Sequence, residues 1–340
     1  MNSIEDFKIS IILPCFNGEK YLSQSIESCL NQTHSNIELI IVNDCSTDGT
    51  LDIANRYVAK DNRIRIINNK ENKKLPASLN IGHQEATGDF ITWTSDDNSY
   101  DLNALEELLK QLLEKNVDIV YSNVMLIDVN GNKIKDIIFR DFENIIFGNF
   151  IGSCFLYKKE VYQRNNGYNE KLFLVEDYDF WLRAISHSRY YHVKKKLYSY
   201  RTHGGSLTNQ INVDFQKNQL FIENVSKMYF DFCKNIMEDE FVEISEMFSR
   251  NLTYQKMSFG WIVLNNQVIK NFKVKLLQNQ NFTSVSLVEK VFLKKIIEVM
   301  VLDQYYKTNF LKSLFIIKEY ASFLSKNDVK TLIKYSFFKN

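Results

Sequence analysis

Proline and glycine are scarce in this chain of 340 residues, which contains 2 prolines and 11 glycines. Both prolines, Pro14 and Pro76, lie in the first quarter of the chain, and after Gly205 the only glycine is Gly260. These two residue types mark most turns and loops. We therefore expect a change of architecture near residue 210: an α/β domain over residues 1–210, then a mainly helical domain over residues 211–340.

The chain also lacks paired cysteines, long apolar runs and a strong net charge. Its five cysteines form no Cys-x-x-Cys pair, which favours small core residues in a reducing compartment. No run approaches the 18 apolar residues that indicate a transmembrane helix, and residues 1–6 are too acidic for a signal peptide. The formal charge of +1 argues against a nucleic-acid partner. We expect a cytoplasmic protein, free or peripheral at the inner face of the membrane.

Two adjacent carboxylates, Asp96 and Asp97, follow the apolar run from Phe90 to Trp93, which we interpret as a buried strand. Ligands of open α/β sheets bind at the carboxyl ends of strands. Neighbouring carboxylates there favour a divalent cation, whose remaining ligands are commonly substrate phosphates. The alternative is a turn that caps the helix beginning near Leu102.

Four short predicted strands alternate with segments of helical periodicity, which predicts a mostly parallel sheet flanked by helices. The strands are Ile9–Leu13, Ile37–Val42, Arg63–Asn68 and Phe90–Trp93. Three polar clusters follow such strands: Phe16-Asn17, Asp44 and Asp96-Asp97. Phe16 could cover a nucleotide base and Asp44 could accept a hydrogen bond from a base N–H. Taken singly, a core aromatic and a turn residue are the simpler readings, so the prediction depends on their coincidence at one sheet edge.

Several of these segments together resemble the inverting glycosyltransferases of family 2, which have the GT-A fold and include enzymes of spore-coat and capsular polysaccharides. The resemblance covers residues 8–100 and 150–208. It rests on the segments Ser10–Asn17, Ile41–Thr50, Gly88–Ile91, Ser95–Asp97 and Val175–Asp177.

The resemblance implies a nucleotide-diphosphate-sugar donor, with a UDP-sugar expected, and a Mn²⁺ or Mg²⁺ ion. It assigns base stacking to Phe16, a contact with the base edge to Asp44, the ribose to Asp96 and the metal to Asp97. The family often has Asp-Asp where this chain has Asn43-Asp44, and its first aspartate of the metal motif is replaced by Thr94 or Ser95. The division of ribose and metal roles between Asp96 and Asp97 therefore stays open. Further nucleotide contacts are expected from Pro14, Asn17 and Ser95.

Glu176 and Asp177 open an amphipathic helix, where acidic side chains could simply complement the helix dipole. An inverting transfer instead needs a carboxylate that removes the proton of the acceptor hydroxyl. By resemblance Asp177 is this catalytic base, and Glu176 lies close to the acceptor. We interpret Asp179 as structural, paired with Arg183 one helical turn later.

A run ending in Arg201-Thr202-His203-Gly204-Gly205 suggests a flexible loop that closes on the diphosphate. Arg201 is expected to contact the donor, and His203 resembles the late histidine that contacts metal or phosphate in some GT-A enzymes. A surface histidine on an ordinary loop is the alternative. Lys73 and Lys74 could also approach the phosphates or belong to a solvated charge run.

The predicted function is non-processive transfer of a hexosyl group to a hydroxyl of a glycan or lipid-linked glycan, as in capsule or lipopolysaccharide biosynthesis. Processive synthases resemble this domain but usually carry transmembrane helices and a Gln-x-x-Arg-Trp motif, which are absent here. The alternatives are a nucleotidyltransferase or a sugar-nucleotide-binding protein without transfer. Residues 211–340 are expected to contact the acceptor, a membrane surface or a second subunit of a homodimer. Their basic and aromatic stretches 290–297 and 330–339 fit either a membrane surface or packed helices.

Overall fold

A computed structural model describes residues 3–152, 154–303 and 310–337. The chain forms two compact units. The first comprises Met1–Arg140 with Asn149–Asn224, and the second comprises Asp141–Gly148 with Val225–Asn340.

The first unit contains one sheet, whose strands lie in the order β3-β2-β1-β4-β8-β6-β9-β5, with β7 paired to β6. The strands are β1 (Ile9–Cys15), β2 (Ile37–Asn43), β3 (Ile64–Asn68), β4 (Phe90–Trp93), β5 (Ser99–Tyr100), β6 (Ile119–Ile127), β7 (Lys133–Ile137), β8 (Phe155–Lys158) and β9 (Tyr190–Arg201). Strands β3, β2, β1 and β4 are parallel, as predicted, whereas β8 pairs antiparallel with β4 and β6. The predicted α/β class is confirmed.

Helices of the first unit follow most of these strands, and all but the last of them contain buried residues. They are α1 (Leu22–Leu30), α2 (Thr50–Val58), α3 (Lys74–Gln84), α4 (Ala104–Lys115), α5 (Lys159–Arg164), α6 (Glu176–Ala184) and α7 (Leu207–Val213). In α4 the leucines at 105, 108, 109 and 112 are fully buried because their spacing puts them on one face. The helix ends at Asn116, whose φ of 49° breaks the helical geometry.

The second unit is helical among its described residues, as the scarcity of proline and glycine predicts. A further helix, α8 (Phe215–Ile236), precedes α9 (Phe241–Leu252), α10 (Phe259–Leu264), α11 (Asn266–Leu276), α12 (Val285–Leu302), α13 (Phe310–Tyr320) and α14 (Lys326–Phe337). None of the helices in the described part of the chain combines the length and apolar character needed to cross a membrane. Phe338 and Lys339 of the predicted basic stretch lie outside the described residues. The functional division at residue 210 stays a prediction.

Candidate active site

The loops that follow β1, β2 and β4 lie side by side because these strands are parallel neighbours. Cys15 at the end of β1 is in register with Asn43 at the end of β2. The Asp44 N–H donates to the Cys15 carbonyl at 2.9 Å, and the Thr94 N–H donates to the Ile12 carbonyl at 3.0 Å. The three polar clusters predicted from the sequence therefore meet at one edge of the sheet, where ligands of such sheets bind.

Asn17 connects the loop after β1 to the loop after β2 by hydrogen bonds. Its backbone has a φ of 54°, and its side-chain oxygen accepts from the Thr47 N–H at 2.8 Å, while its own N–H donates to the Ser46 hydroxyl at 3.0 Å. Phe16, just before it, is 48% exposed, so its ring is available to a planar ligand. Pro14 is buried within β1, opposite Val42.

Asp44 anchors the neighbouring loop in addition to facing the site. Its carboxylate is buried and accepts hydrogen bonds of 2.8 Å from the Asn69 amide and from the Lys73 and Lys74 main-chain N–H groups. Lys73 and Lys74 thus contact the candidate site residue Asp44 through their main-chain N–H groups. One carboxylate oxygen takes two of the three bonds, so the other keeps capacity for a ligand N–H.

Asp96 lies against the backbone of Gly18. A side-chain carbon at position 18 would fall 2.1 Å from an Asp96 carboxylate oxygen, so only glycine leaves room for this contact. Burial, followed by the charge of Asp97, raises the Asp96 pKa to about 7, although the Phe16 N–H donates to its carboxylate. Ser95 takes part through its main-chain carbonyl, which accepts from the Ser25 hydroxyl at 2.8 Å.

Asp97 and His203 contact each other directly. One Asp97 carboxylate oxygen lies 2.8 Å from Nε2 of His203. The other oxygen is buried and has no hydrogen-bond partner among the described residues. A buried carboxylate oxygen without a partner is costly unless a ligand or cation satisfies it.

Arg201 is the last residue of β9 and only 4% exposed, so the interpretation that places it on a flexible loop is wrong. Its guanidinium donates to the Asp97 carbonyl at 2.9 Å, to the Asp128 carbonyl at 3.1 Å and to the Gln24 side chain at 2.8 Å. It also stacks over the Tyr21 ring at 4.4 Å. Arg201 therefore fixes the backbone of Asp97, and its assignment as a donor contact stays a prediction.

Glu176 and Asp177 form a coupled pair of acids at the start of α6. Glu176 is buried, and one of its carboxylate oxygens has no hydrogen-bond partner in the described part of the chain. Burial and the Asp177 charge raise the Glu176 pKa to about 8. Asp177 is partly exposed and accepts from the Asn149 amide at 2.8 Å and from the Tyr178 N–H at 2.7 Å. Burial also raises its pKa, but these two hydrogen bonds oppose the rise.

The chain enters α6 through a strained residue. Leu174 has a φ of 79°, a conformation that large side chains rarely adopt. Such strain is typical of functional sites. Asp179 binds Arg183 at 2.7 Å, which confirms its predicted structural role.

Tyr200 links the two acidic parts of the site. Burial raises the pKa of its phenol, and the charges of both Asp97 and Asp177 add to the rise. Its hydroxyl lies 3.5 Å from that of Thr208. The charges of Asp97 and Asp177 thus both act on one phenol of the first unit.

Known proteins share both the sequence and the fold of this unit. The model of the family described as "Glycosyl transferase family 2" matches residues 10–173. The chain is 36% identical over 205 residues to the putative glycosyltransferase EpsE of Bacillus subtilis, covering 57% of this chain and 73% of EpsE. The chain belongs to glycosyltransferase family 2.

Two further matches show how far the likeness to other glycosyltransferases extends. An uncharacterized glycosyltransferase of Haemophilus influenzae is 40% identical over 127 residues, and the chain spans 51% of its length. The crystal structure of S. aureus TarS 1-349 in complex with UDP-GlcNAc matches 98% of this chain and 93% of that one, with a TM-score of 0.58 and 18% identity. At this identity the structural match shows the fold alone.

The residues present fit the divalent ion that this glycosyltransferase fold implies. Asp97 offers an unsatisfied buried oxygen, whereas His203 accepts the Gly205 N–H at Nδ1 and donates from Nε2 to Asp97, so its ring would have to turn to offer an ion a lone pair. Within residues 3–152, 154–303 and 310–337, no group of three or more His, Cys, Asp or Glu side chains could hold an ion. A protein site of one carboxylate and one imidazole leaves several positions for substrate oxygens, which suits an ion completed by a diphosphate.

Sequence reasoning missed Asn149 and Tyr200, which act on the candidate site residues through a hydrogen bond and through charge. Neither residue lies in one of the segments on which the family resemblance rests. An isolated asparagine or tyrosine also gives no periodic signal. Only the folded chain brings Asn149 to Asp177 across 28 positions.

Proposed function

We propose that this family 2 glycosyltransferase transfers a hexosyl group from a UDP-sugar to a hydroxyl of a glycan or lipid-linked glycan, with inversion at the anomeric carbon. The enzyme is proposed to add single sugars in a polysaccharide pathway such as capsule or lipopolysaccharide synthesis. Asp177 acts as the general base, and the donor site lies at the ends of β1, β2 and β4.

The observation that carries this proposal is the difference in burial and in hydrogen-bond donors between Glu176 and Asp177. Glu176 is the more buried acid, and burial and the neighbouring charge raise its pKa to about 8, which favours its protonated form. Asp177 has two donors, Asn149 and the Tyr178 N–H, that stabilise its ionised form. Two acids whose environments push their pKa values apart commonly serve as a neutral hydrogen-bond donor and an anionic base.

In the proposed step, the acceptor hydroxyl oxygen attacks the anomeric carbon of the donor sugar. The Asp177 carboxylate takes the hydroxyl proton as the new carbon–oxygen bond forms. The bond between the anomeric carbon and the β-phosphate oxygen breaks, and its electron pair leaves with the nucleotide diphosphate on the opposite face. Protonated Glu176, beside the base, donates a hydrogen bond to the acceptor.

The exposed ring of Phe16 stacks on the base in this proposal, and the spare oxygen of Asp44 accepts a base N–H. Asn17 and Ser95 shape the loops around the nucleotide, and Asp96 binds the ribose. Support for a uridine nucleotide comes from the fold shared with TarS, whose structure holds UDP-GlcNAc.

Asp97 and His203 are the residues that would hold a Mn²⁺ or Mg²⁺ ion, with Asp96 close by. When bound, the ion supplies positive charge that stabilises the departing diphosphate. Arg201 keeps the Asp97 backbone in place through its 2.9 Å hydrogen bond to the Asp97 carbonyl.

Residues 1–210 are proposed to carry the donor chemistry, and residues 211–340 to supply contacts with the acceptor, a membrane or a second subunit. This division follows the scarcity of glycine after Gly205, where Gly260 is the only one, and the absence of proline from the same region.

The test is a donor screen with the full chain. UDP-, GDP- and dTDP-sugars are incubated with Mn²⁺ or Mg²⁺ and a panel of glycan acceptors, and release of nucleotide diphosphate is measured with and without EDTA. We expect UDP release that depends on the metal, with the opposite anomeric configuration in the transferred sugar by NMR. The Asp97→Asn variant should lose this activity, whereas Asp52→Asn, at an exposed position of α2, should keep it.

Release of inorganic pyrophosphate from a nucleoside triphosphate and a sugar phosphate would instead show a nucleotidyltransferase. Tight nucleotide-sugar binding without any turnover, across a panel of glycan acceptors, would favour a binding protein.

A further inference from the structure

The last two helices of the second unit expose an apolar face. Phe310, Leu311, Leu314 and Ile317 of α13, with Val329 and Ile333 of α14, are between 41% and 75% exposed. Between the helices runs a groove lined mostly by apolar side chains, including Phe310, Leu314, Ile317, Val329, Leu332 and Ile333. Contiguous apolar patches of this kind on a protein surface usually mark an interaction site.

Unpaired positive charge surrounds this face. Lys318, Lys326, Lys330 and Lys334 are exposed, and none forms a salt bridge with another described residue. Of two nearby acids, Glu319 pairs with Lys270 at 2.5 Å, and Asp328 accepts hydrogen bonds from Ser325, among them that of the main-chain N–H at 2.8 Å, and keeps its charge.

We propose that the face formed by α13 and α14 docks on a membrane surface that contains anionic lipids. The apolar side chains would enter the boundary between headgroups and acyl chains, and the four lysines would contact the lipid phosphates, as amphipathic helices at membrane surfaces do. This inference rests on the second unit alone and is independent of the proposed transfer reaction.

A second copy of the chain suits this face less well. A two-fold contact places the same surface patch of both copies together. The four lysines of one copy would then lie against the lysine-rich patch of the other, with Asp328 as a single opposing charge per copy on α14. An anionic bilayer instead matches the charge and covers the apolar side chains.

The experiment measures binding of the full chain to vesicles by co-sedimentation. One set of vesicles is pure phosphatidylcholine, and the other contains 30% phosphatidylglycerol. In 0.1 M NaCl we expect strong binding to the anionic vesicles and little to the neutral ones, with release as the salt approaches 0.5 M.

Two variants test the two parts of the face. Lys326→Gln/Lys330→Gln/Lys334→Gln should weaken binding about 100-fold, since each lysine near an anionic surface is worth about fivefold. Leu314→Gln/Ile333→Gln should weaken it at least about tenfold. Their matched controls change exposed side chains elsewhere in the second unit and should bind within about twofold of the parent: Lys227→Gln/Lys234→Gln/Lys256→Gln and Val274→Gln.

Because all the altered side chains are exposed, thermal melts should show that each variant folds. Equal binding to both vesicle types, or equal loss in the variants and their controls, would overturn the proposal. So would a parent that ignores vesicles but forms dimers that Leu314→Gln/Ile333→Gln converts to monomers, because the face would then be an interface between copies.

Discussion

Replacing Glu176 by glutamine should make the protein more stable at alkaline pH. The two side chains have nearly the same shape, and the amide can keep the acceptor oxygen of the carboxyl group. The substitution removes the carboxyl group that titrates. Glu176 is 4% exposed, and its pKa rises from 4.5 to about 8 in the folded protein.

The sign of the effect follows from the two pKa values. Below pH 4.5 the side chain is protonated in both the folded and the unfolded chain, so its contribution to stability is fully present. Between about pH 4.5 and pH 8 the unfolded glutamic acid ionises while the buried one stays protonated, and the free energy of unfolding falls. Each pKa unit corresponds to about 1.4 kcal/mol, so the loss above pH 8 is about 2–5 kcal/mol.

The assay is urea unfolding of the parent and Glu176→Gln at pH 5.5 and pH 9. We expect the variant to be more stable by about 1 kcal/mol at pH 5.5, one unit above the unfolded pKa, and by about 2–5 kcal/mol at pH 9. Glu160→Gln, at an exposed position, is the matched control and should change stability equally little at both values. An effect of Glu176→Gln that does not vary with pH would refute the assignment of a neutral Glu176.

Three further changes test the supports of the site. Gly18→Ala puts a carbon 2.1 Å from the Asp96 carboxylate, so calorimetry should show weaker binding of the nucleotide diphosphate, by about tenfold, and unchanged affinity would contradict this contact. Arg201→Lys should reduce the free energy of unfolding by about 2–4 kcal/mol in urea, because lysine cannot reproduce the forked hydrogen bonds; a loss below about 0.5 kcal/mol would disagree. Asn149→Ala removes a donor that stabilises ionised Asp177, so the acid limb of the pH–rate profile should move to higher pH; an unmoved limb with lower stability would leave Asn149 a structural residue.

Local patterns predicted the fold because they repeat along the chain. The four parallel strands and the leucine face of α4 each follow from apolar spacing within one segment. The gathering of Phe16, Asp44 and Asp96 at one edge follows from parallel pairing alone. The helical second unit follows from its missing turn residues.

The details of the site depend on contacts between distant segments, which such patterns do not contain. Arg201 looked like a loop residue because Gly204 and Gly205 follow closely, yet its guanidinium is buried among carbonyl groups. Asp44 was expected to contact a base edge or to belong to a turn, and no pattern in the sequence indicated the three donors from residues 69–74 that bind its carboxylate. Asn149 carried no signal at all.

The central claim is that Asp177 is the base of a sugar transfer. Its most direct test is the Asp177→Asn variant, which keeps the shape of the side chain and removes the proton acceptor. Donor binding by calorimetry and acceptor turnover are measured on the same preparation, with Asp231→Asn, exposed on α8, as the control.

The account predicts that Asp177→Asn binds the nucleotide diphosphate nearly as well as the parent, because Phe16, Asp44 and Asp97 are unchanged. Its rate of transfer should fall by about 10²–10⁴-fold, the usual contribution of a positioned general base. A helix-dipole partner would lose only a fraction of a kcal/mol in stability, with little change in rate. Near-normal transfer by Asp177→Asn would contradict the account and remove this residue from the mechanism.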